Sequence, residues 1–190
     1  MLVLASASPR RQELLRHAGI SFTVQPADID ESLRAGESPR SYTERLAREK
    51  AMKVFQLRPD DFVLAADTTV VVDREILGKP RDADDAACML RLLSGRTHQV
   101  TTGVCLMGPG KETEVISETT LVTMEVISEE EIRDYVATGD PMDKAGGYGI
   151  QGIASRWISR IEGDYSNVVG LPVALVYRML RAHGPLPGIL

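Results

Sequence analysis

Helix starts are written out in this chain as a polar cap with a partner suited to the first turn, as at Ser8 before Pro9, Ser38 before Pro39, and Ser128 three positions ahead of Glu131. Apolar runs of strand length lie between them. Leu2 to Ala5 reads as a buried strand ahead of a helix closing near Gly19. A longer helix runs from Ser38 to roughly Phe55, with Tyr42, Leu46, Ala47 and Val54 at helical spacing. Phe62 to Ala66 and Val70 to Val72 read as two strands with Asp67, Thr68 and Thr69 between them. Asp82 caps a helix through Leu93, with Asp85 at its third position and Gly95 at its end. Two β-rich stretches follow, Thr97 to Met107 and Thr113 to Ile127, joined at Gly108-Pro109-Gly110. The helix after Ser128 runs to Thr138 and Gly139. A glycine-rich loop from Gly146 to Gly152, a strand near Trp157 to Ile161 and a helix from Pro172 to Gly184 complete the chain. Strands and helices mix throughout, which predicts an α/β fold with a mixed sheet.

The 190 residues carry no repeat, low-complexity tract or linker, so one domain over 1–190, with two lobes around a cleft admitted, is the economical organisation. A formal charge of −5 and a pI of about 5.3 argue against a nucleic-acid partner, which requires a basic face to displace counterions. No stretch approaches the run of about 18 apolar residues that a membrane span needs. The N-terminus lacks the basic region of a signal peptide, and Cys88 and Cys105 match no metal-ligand spacing; both read as buried apolar residues. These features predict a cytoplasmic protein. His17, His98 and His183 show no partner spacing, so neither a histidine triad nor a zinc site is expected, and all three read as structural or solvated.

Several segments can carry chemistry. Ser6-Ala7-Ser8-Pro9-Arg10-Arg11 leaves a strand and sets two guanidiniums at a helix opening, where free N–H groups and the dipole favour an anion; a merely capped helix with solvated arginines is the alternative. Lys50, taken alone, reads as a surface residue of an amphipathic helix, paired with a glutamate such as Glu44 or solvated. Lys79 stands between Gly78 and Pro80, extended and approachable, as a point charge for a triphosphate would be. Asp67 lies at a predicted strand end, where α/β folds bind ligands, with Thr68 and Thr69 adding hydroxyls; a turn cap is the alternative. Asp28, Asp30 and Glu31 form an acidic loop suited to a Mg²⁺ ligand or simply solvated. In the loop Asp143 to Gly152, four glycines let backbone lie against a flat base, and Gln151 can both donate and accept hydrogen bonds. A flexible surface loop, with Asp143 and Lys144 as a local ion pair, is the alternative.

In their order along the chain, Ser6 to Arg11, Ala47-Arg48-Glu49-Lys50-Ala51, Ala66-Asp67-Thr68, Leu77-Gly78-Lys79-Pro80, Leu93-Ser94-Gly95-Arg96-Thr97-His98, Asp143 to Gly152 and Val169-Gly170-Leu171-Pro172 resemble the Maf family of nucleotide pyrophosphatases, from Leu2 to about Leu180. The resemblance implies a mixed sheet flanked by helices around a central cleft, similar to the inosine-triphosphate pyrophosphatases. It implies a nucleoside triphosphate substrate, a divalent metal (Mg²⁺ or Mn²⁺) and a homodimer. Gly-Tyr-Gly-Ile-Gln-Gly looks like the dTTP/UTP branch, with Arg10, Thr68 and Gln151 at the specificity positions and Asp67 as proton acceptor. Gly147 departs from a common alanine, and the tail from Arg181 to Leu190 lies outside the match, with no function assigned.

The resemblance, beside these features, implies hydrolysis of dTTP and UTP, with CTP and modified pyrimidine nucleotides as further candidates. Arg10, Arg11, Lys50 and Lys79 hold the triphosphate, the metal sits near Glu31 and Asp67, and Asp67 directs water to the α-phosphorus. The competing expectations are a 7-methyl-GTP or other modified-nucleotide pyrophosphatase, and a nucleotide-binding regulator of cell division.

Overall fold

The computed structural model describes residues 1–110 and 112–183. In chain order the elements are β1 (Leu2–Leu4), α1 (Pro9–His17), β2 (Thr23–Val24), α2 (Pro39–Phe55), β3 (Phe62–Val72), β4 (Glu75–Leu77), α3 (Ala83–Leu93), β5 (Thr97–Met107), β6 (Thr113–Met124), α4 (Glu129–Ala137), β7 (Ile158–Glu162), α5 (Tyr165–Val169) and α6 (Val173–His183). Short 3₁₀ turns occupy Asp140–Asp143, Ala145–Gly147 and Ile153–Trp157. Seven strands form one mixed sheet in the order β2-β1-β3-β5-β6-β7, with β4 paired to β3 off this path. The α/β class is therefore as expected. Gly184, the predicted end of the last helix, and the tail beyond it lie outside the described residues.

The caps form as the sequence predicts. Ser8, Ser38, Asp82 and Ser128 each accept the backbone N–H three residues on, and at Ser128 the Glu131 side chain returns the bond to the cap. One expectation fails: Asp67, Thr68 and Thr69 do not break the sheet, because β3 runs unbroken through them.

Contacts divide the chain into two compact units, to which β3, β5 and β6 each contribute residues. Unit 1 comprises Met1–Asp67, Thr102–Glu118 and the chain from Gly170 on. Here β1 lies parallel to β2 and β3, with Leu2 opposite Phe62 and Leu4 opposite Leu64. Strands β1 and β3 are buried on both faces, which explains their nearly continuous apolar run, whereas β2 is exposed. Leu2, Leu4, Leu64 and Ala66 pack with Leu15 of α1 and Leu175, Val176 and Met179 of α6. The alternate residues Val3, Ala5, Val63 and Ala65 pack with Ala47, Ala51 and Val54 of α2. Strand parity thus assigns Asp67 to the α2 face. Helix α2 sits directly on β5: a Cβ added at Gly103 would lie 2.4 Å from the carbonyl carbon and oxygen of Thr43.

Unit 2 comprises Thr68–Thr101 and Thr119–Val169. Strands β3 and β4 form a tight hairpin, Val72 opposite Glu75, whose two turn residues Asp73 (φ 49) and Arg74 (φ 71) are both left-handed. Val70, Leu90, Leu93, Val122, Ile132, Tyr135, Tyr148 and Trp157 form its core. Tyr135 meets Trp157 edge-on, with ring centroids 5.2 Å apart.

Candidate active site

Lys50 is the centre of the polar cluster in unit 1. It lies on the buried side of α2, between Ala47 and Val54, and is only 8% exposed. Its Nζ donates to Oδ1 of Asp67 at 2.7 Å and pairs with Oε1 of Glu31 at 2.6 Å. The surface position expected for Lys50 is therefore wrong, and Glu44 is engaged elsewhere, with Arg40 and Ser117. A buried ammonium is tolerated because a carboxylate, itself only 8% exposed, meets it from the strand. Asp67 is a strand residue held by a helix lysine, not a turn cap.

The two arginines behind Ser8 occupy different environments. Arg11 turns inward: its Nε donates to the Gly170 carbonyl at 2.8 Å, and its Nη1 donates to the Ala66 carbonyl at 2.8 Å and to Ser6 Oγ at 3.3 Å. It braces the strand position immediately before Asp67, and any phosphate bound by Arg11 has to share its guanidinium with these oxygens. Burial holds the Arg11 pKa below its ordinary value; the Asp67 carboxylate opposes this, the Arg10 charge adds to it and Glu31 opposes it. Arg10 itself is half-buried on α1.

The acidic loop is fastened to α2 by groups that helical spacing does not reveal. Tyr42 Oη donates to the Glu31 carbonyl at 2.8 Å, Arg45 Nη2 donates to the Ser32 carbonyl at 3.0 Å, and Lys53 donates to the Asp28 carbonyl. Arg45 also pairs with Glu37. Burial, reinforced by the Asp67 and Glu31 charges, pushes the Tyr42 hydroxyl up to about 12. The loop thus presents Glu31 to Lys50, while Asp28 and Asp30 stay exposed. Tyr42, read from the sequence only as part of the helical pattern, is a fastening of the Glu31 segment that the sequence reading missed.

Unit 2 holds the remaining predicted positions. Thr68 is half-buried on β3, and the buried Thr69 beside it donates to the Leu77 carbonyl at 3.3 Å. Lys79 is exposed between Gly78 and the buried Pro80. The Gly78 carbonyl accepts the Gly146 N–H at 3.0 Å, and a Cβ at Gly146 would meet Val70 at 3.0 Å. Strand β3, the Gly78–Pro80 segment and the glycine loop therefore lie against one another within this unit. Gly146 (φ 70) and Gly147 (φ 71) are both left-handed, which suits glycine rather than alanine at 147. Gln151 is exposed on this loop. Lys144 pairs with Asp143 at 2.7 Å and Asp140 at 3.0 Å, the local ion pair that shapes the loop. Cys88 is exposed, contrary to expectation, and Cys105 is buried; neither forms a disulfide.

A solved structure, the Staphylococcus aureus Ham1 protein, matches with a TM-score of 0.53 at 14% identity, covering 96% of this chain and 98% of that one, and this likeness shows the fold. A family model described as Maf-like protein matches residues 1–183, and the chain belongs to the Maf family. Relatives include the dTTP/UTP pyrophosphatase of Koribacter versatilis (strain Ellin345), 61% identical over 97% of this chain and 95% of that protein. Another is the dTTP/UTP pyrophosphatase of Myxococcus xanthus (strain DK1622), 53% identical over 98% and 95%.

Proposed function

We propose that this chain hydrolyses dTTP and UTP to the monophosphate and pyrophosphate, in the cytoplasm. The observation that carries the reading is the Lys50 ammonium held between Asp67 and Glu31, in a chain 61% identical to a dTTP/UTP pyrophosphatase.

The residues fit a divalent cation. Two carboxylates, those of Asp67 and Glu31, converge on the Lys50 ammonium. Two such carboxylates suit Mg²⁺ or Mn²⁺, which takes one or two and completes its shell with water and substrate phosphates. When bound by Asp67 and Glu31, the cation supplies charge neutralisation at the phosphate oxygens. Lys50 holds Oδ1 of Asp67 and so fixes the rotation of the carboxylate. Asp67 orients a water and takes its proton as the water oxygen bonds to the α-phosphorus. The bond from that phosphorus to the bridging oxygen breaks, and pyrophosphate leaves. Arg10, Lys50 and Lys79 meet the negative charge of the triphosphate and the leaving group, with Arg11 contributing while it braces Ala66. Thr68 and Gln151 read the base; their hydrogen-bonding groups, left unpaired by a mismatched edge, penalise the wrong nucleotide.

A panel of dTTP, UTP, CTP, dATP, GTP and 7-methyl-GTP, assayed for pyrophosphate release, tests this reading. Preference for dTTP and UTP supports it, preference for 7-methyl-GTP or another purine replaces it, and binding without release turns it into a nucleotide-binding regulator.

A further inference from the structure

We propose that His98 is a positioning residue for nucleotide selection, holding the glycine loop that carries Gln151 through a hydrogen bond between its Nε2 and the Tyr148 hydroxyl. The inference rests on the proposed role of Gln151 as a reader of the base.

His98, on β5, is 2% exposed and Tyr148 is 5% exposed; the N–O distance is 2.6 Å, and the rings meet edge-on with centroids 5.3 Å apart. Tyr148 lies between left-handed Gly146 and Gly147 on one side and Gly149 on the other, while Gly152 (φ 99) closes the loop. Glycine surrenders more backbone freedom on ordering than any other residue, so the placement of Gln151, three positions on, depends on what anchors the chain between the glycines. Two buried anchors act on adjacent residues. Tyr148 is held by His98, and the Gly149 N–H meets the hydroxyl of Tyr135, which itself donates to Asp140 at 2.8 Å.

A packing role alone does not account for the histidine. Its Nδ1 is buried with no hydrogen-bond partner among the described residues, a cost that an apolar side chain in the same core would avoid. Burial pushes the ring down to about 4, so it is neutral at neutral pH and meets the hydroxyl as an uncharged partner. The feature that an apolar replacement cannot supply is the contact with Tyr148.

The test uses Tyr148→Phe, His98→Leu and His98→Gln, whose terminal amide can reach the hydroxyl. For dTTP and GTP, kcat and KM are measured, and binding of both nucleotides is measured by calorimetry in EDTA, where turnover is not needed. Loss of the anchor is expected to raise KM and Kd for dTTP about tenfold, to shrink the dTTP-to-GTP preference in proportion and to change kcat far less, while His98→Gln recovers most of the preference. A wild-type protein that releases no pyrophosphate refutes the hydrolytic reading, yet its binding preference still reports on His98. A preference that survives in both His98→Leu and Tyr148→Phe overturns the proposal alone, as does an equal loss for both nucleotides. A wild-type protein without any preference overturns it together with the role of Gln151.

Discussion

The Nζ of Lys50 lies 2.7 Å from Oδ1 of Asp67 and 2.6 Å from Oε1 of Glu31, so a single helix ammonium ties a strand carboxylate to a loop carboxylate. The two partners differ in environment: the Asp67 side chain is 11% exposed and that of Glu31 51%. Removing the lysine therefore strands a buried charge, whereas removing Asp67 leaves Lys50 with Glu31. Lys50→Met is expected to lose about 3–5 kcal/mol of stability in urea denaturation, and Asp67→Asn clearly less. Equal losses would show that the pair is not asymmetric.

The approach of α2 to the sheet is set at Gly103. Because an added Cβ would fall 2.4 Å from the Thr43 backbone, Gly103→Ala has to move the helix that carries Lys50. A loss of about 2 kcal/mol or more in equilibrium denaturation is expected, together with reduced turnover. Wild-type stability in this variant would mean that α2 and β5 are less tightly packed than described.

Tyr42 holds the Glu31 segment by its backbone, the Tyr42 hydroxyl donating to the Glu31 carbonyl at 2.8 Å. If Glu31 contributes to the cation, Tyr42→Phe should raise the half-saturating Mg²⁺ concentration about 10-fold or more, with little change in thermal stability. A metal titration curve that coincides with wild type would separate Tyr42 from cation binding.

Acid stability follows from His98. The unfolded ring takes its proton near 6.5 and the folded one near 4, so below the first value the unfolded state binds more protons than the folded state. The contribution of neutral His98 is complete above pH 6.5 and is lost as the pH falls towards 4, a decline of roughly 3 kcal/mol. Glu37 and Glu131, both held down to about 2 chiefly by hydrogen bonds to Arg45 and to the Ser128 backbone respectively, lose their contributions at lower pH. His98→Gln should flatten the unfolding free energy across that window; an unchanged slope would assign the decline to other groups.

The helix starts were legible because capping is local: Ser8, Ser38, Asp82 and Ser128 bond an amide only three residues away. The long reach of β3 was not, since Asp67, Thr68 and Thr69 interrupt the apolar run while strand pairing uses backbone alone; Lys50 and the Leu77 carbonyl then satisfy the polar side chains of Asp67 and Thr69. Lys50 itself fits an exposed helical pattern, and its partner lies 17 residues on, beyond any helical spacing. The same distance problem hid Tyr42, whose target is a backbone carbonyl in a loop. Cys88 was misplaced because Ala86, Leu90 and Leu93 define the buried face of α3 and the cysteine lies off it. The Maf motifs carry Asp67 and Lys50, and the acidic loop adds Glu31; the three stood in one hypothesis before geometry joined them.

Pyrophosphate release from dTTP by wild type and Asp67→Asn, with folding of the variant checked by circular dichroism, tests the central claim most directly. A positioned base contributes about 10²–10⁴-fold, so kcat should fall by about that factor in a folded variant. A folded Asp67→Asn protein that turns over dTTP at the wild-type rate would contradict the assignment of Asp67 to the reaction.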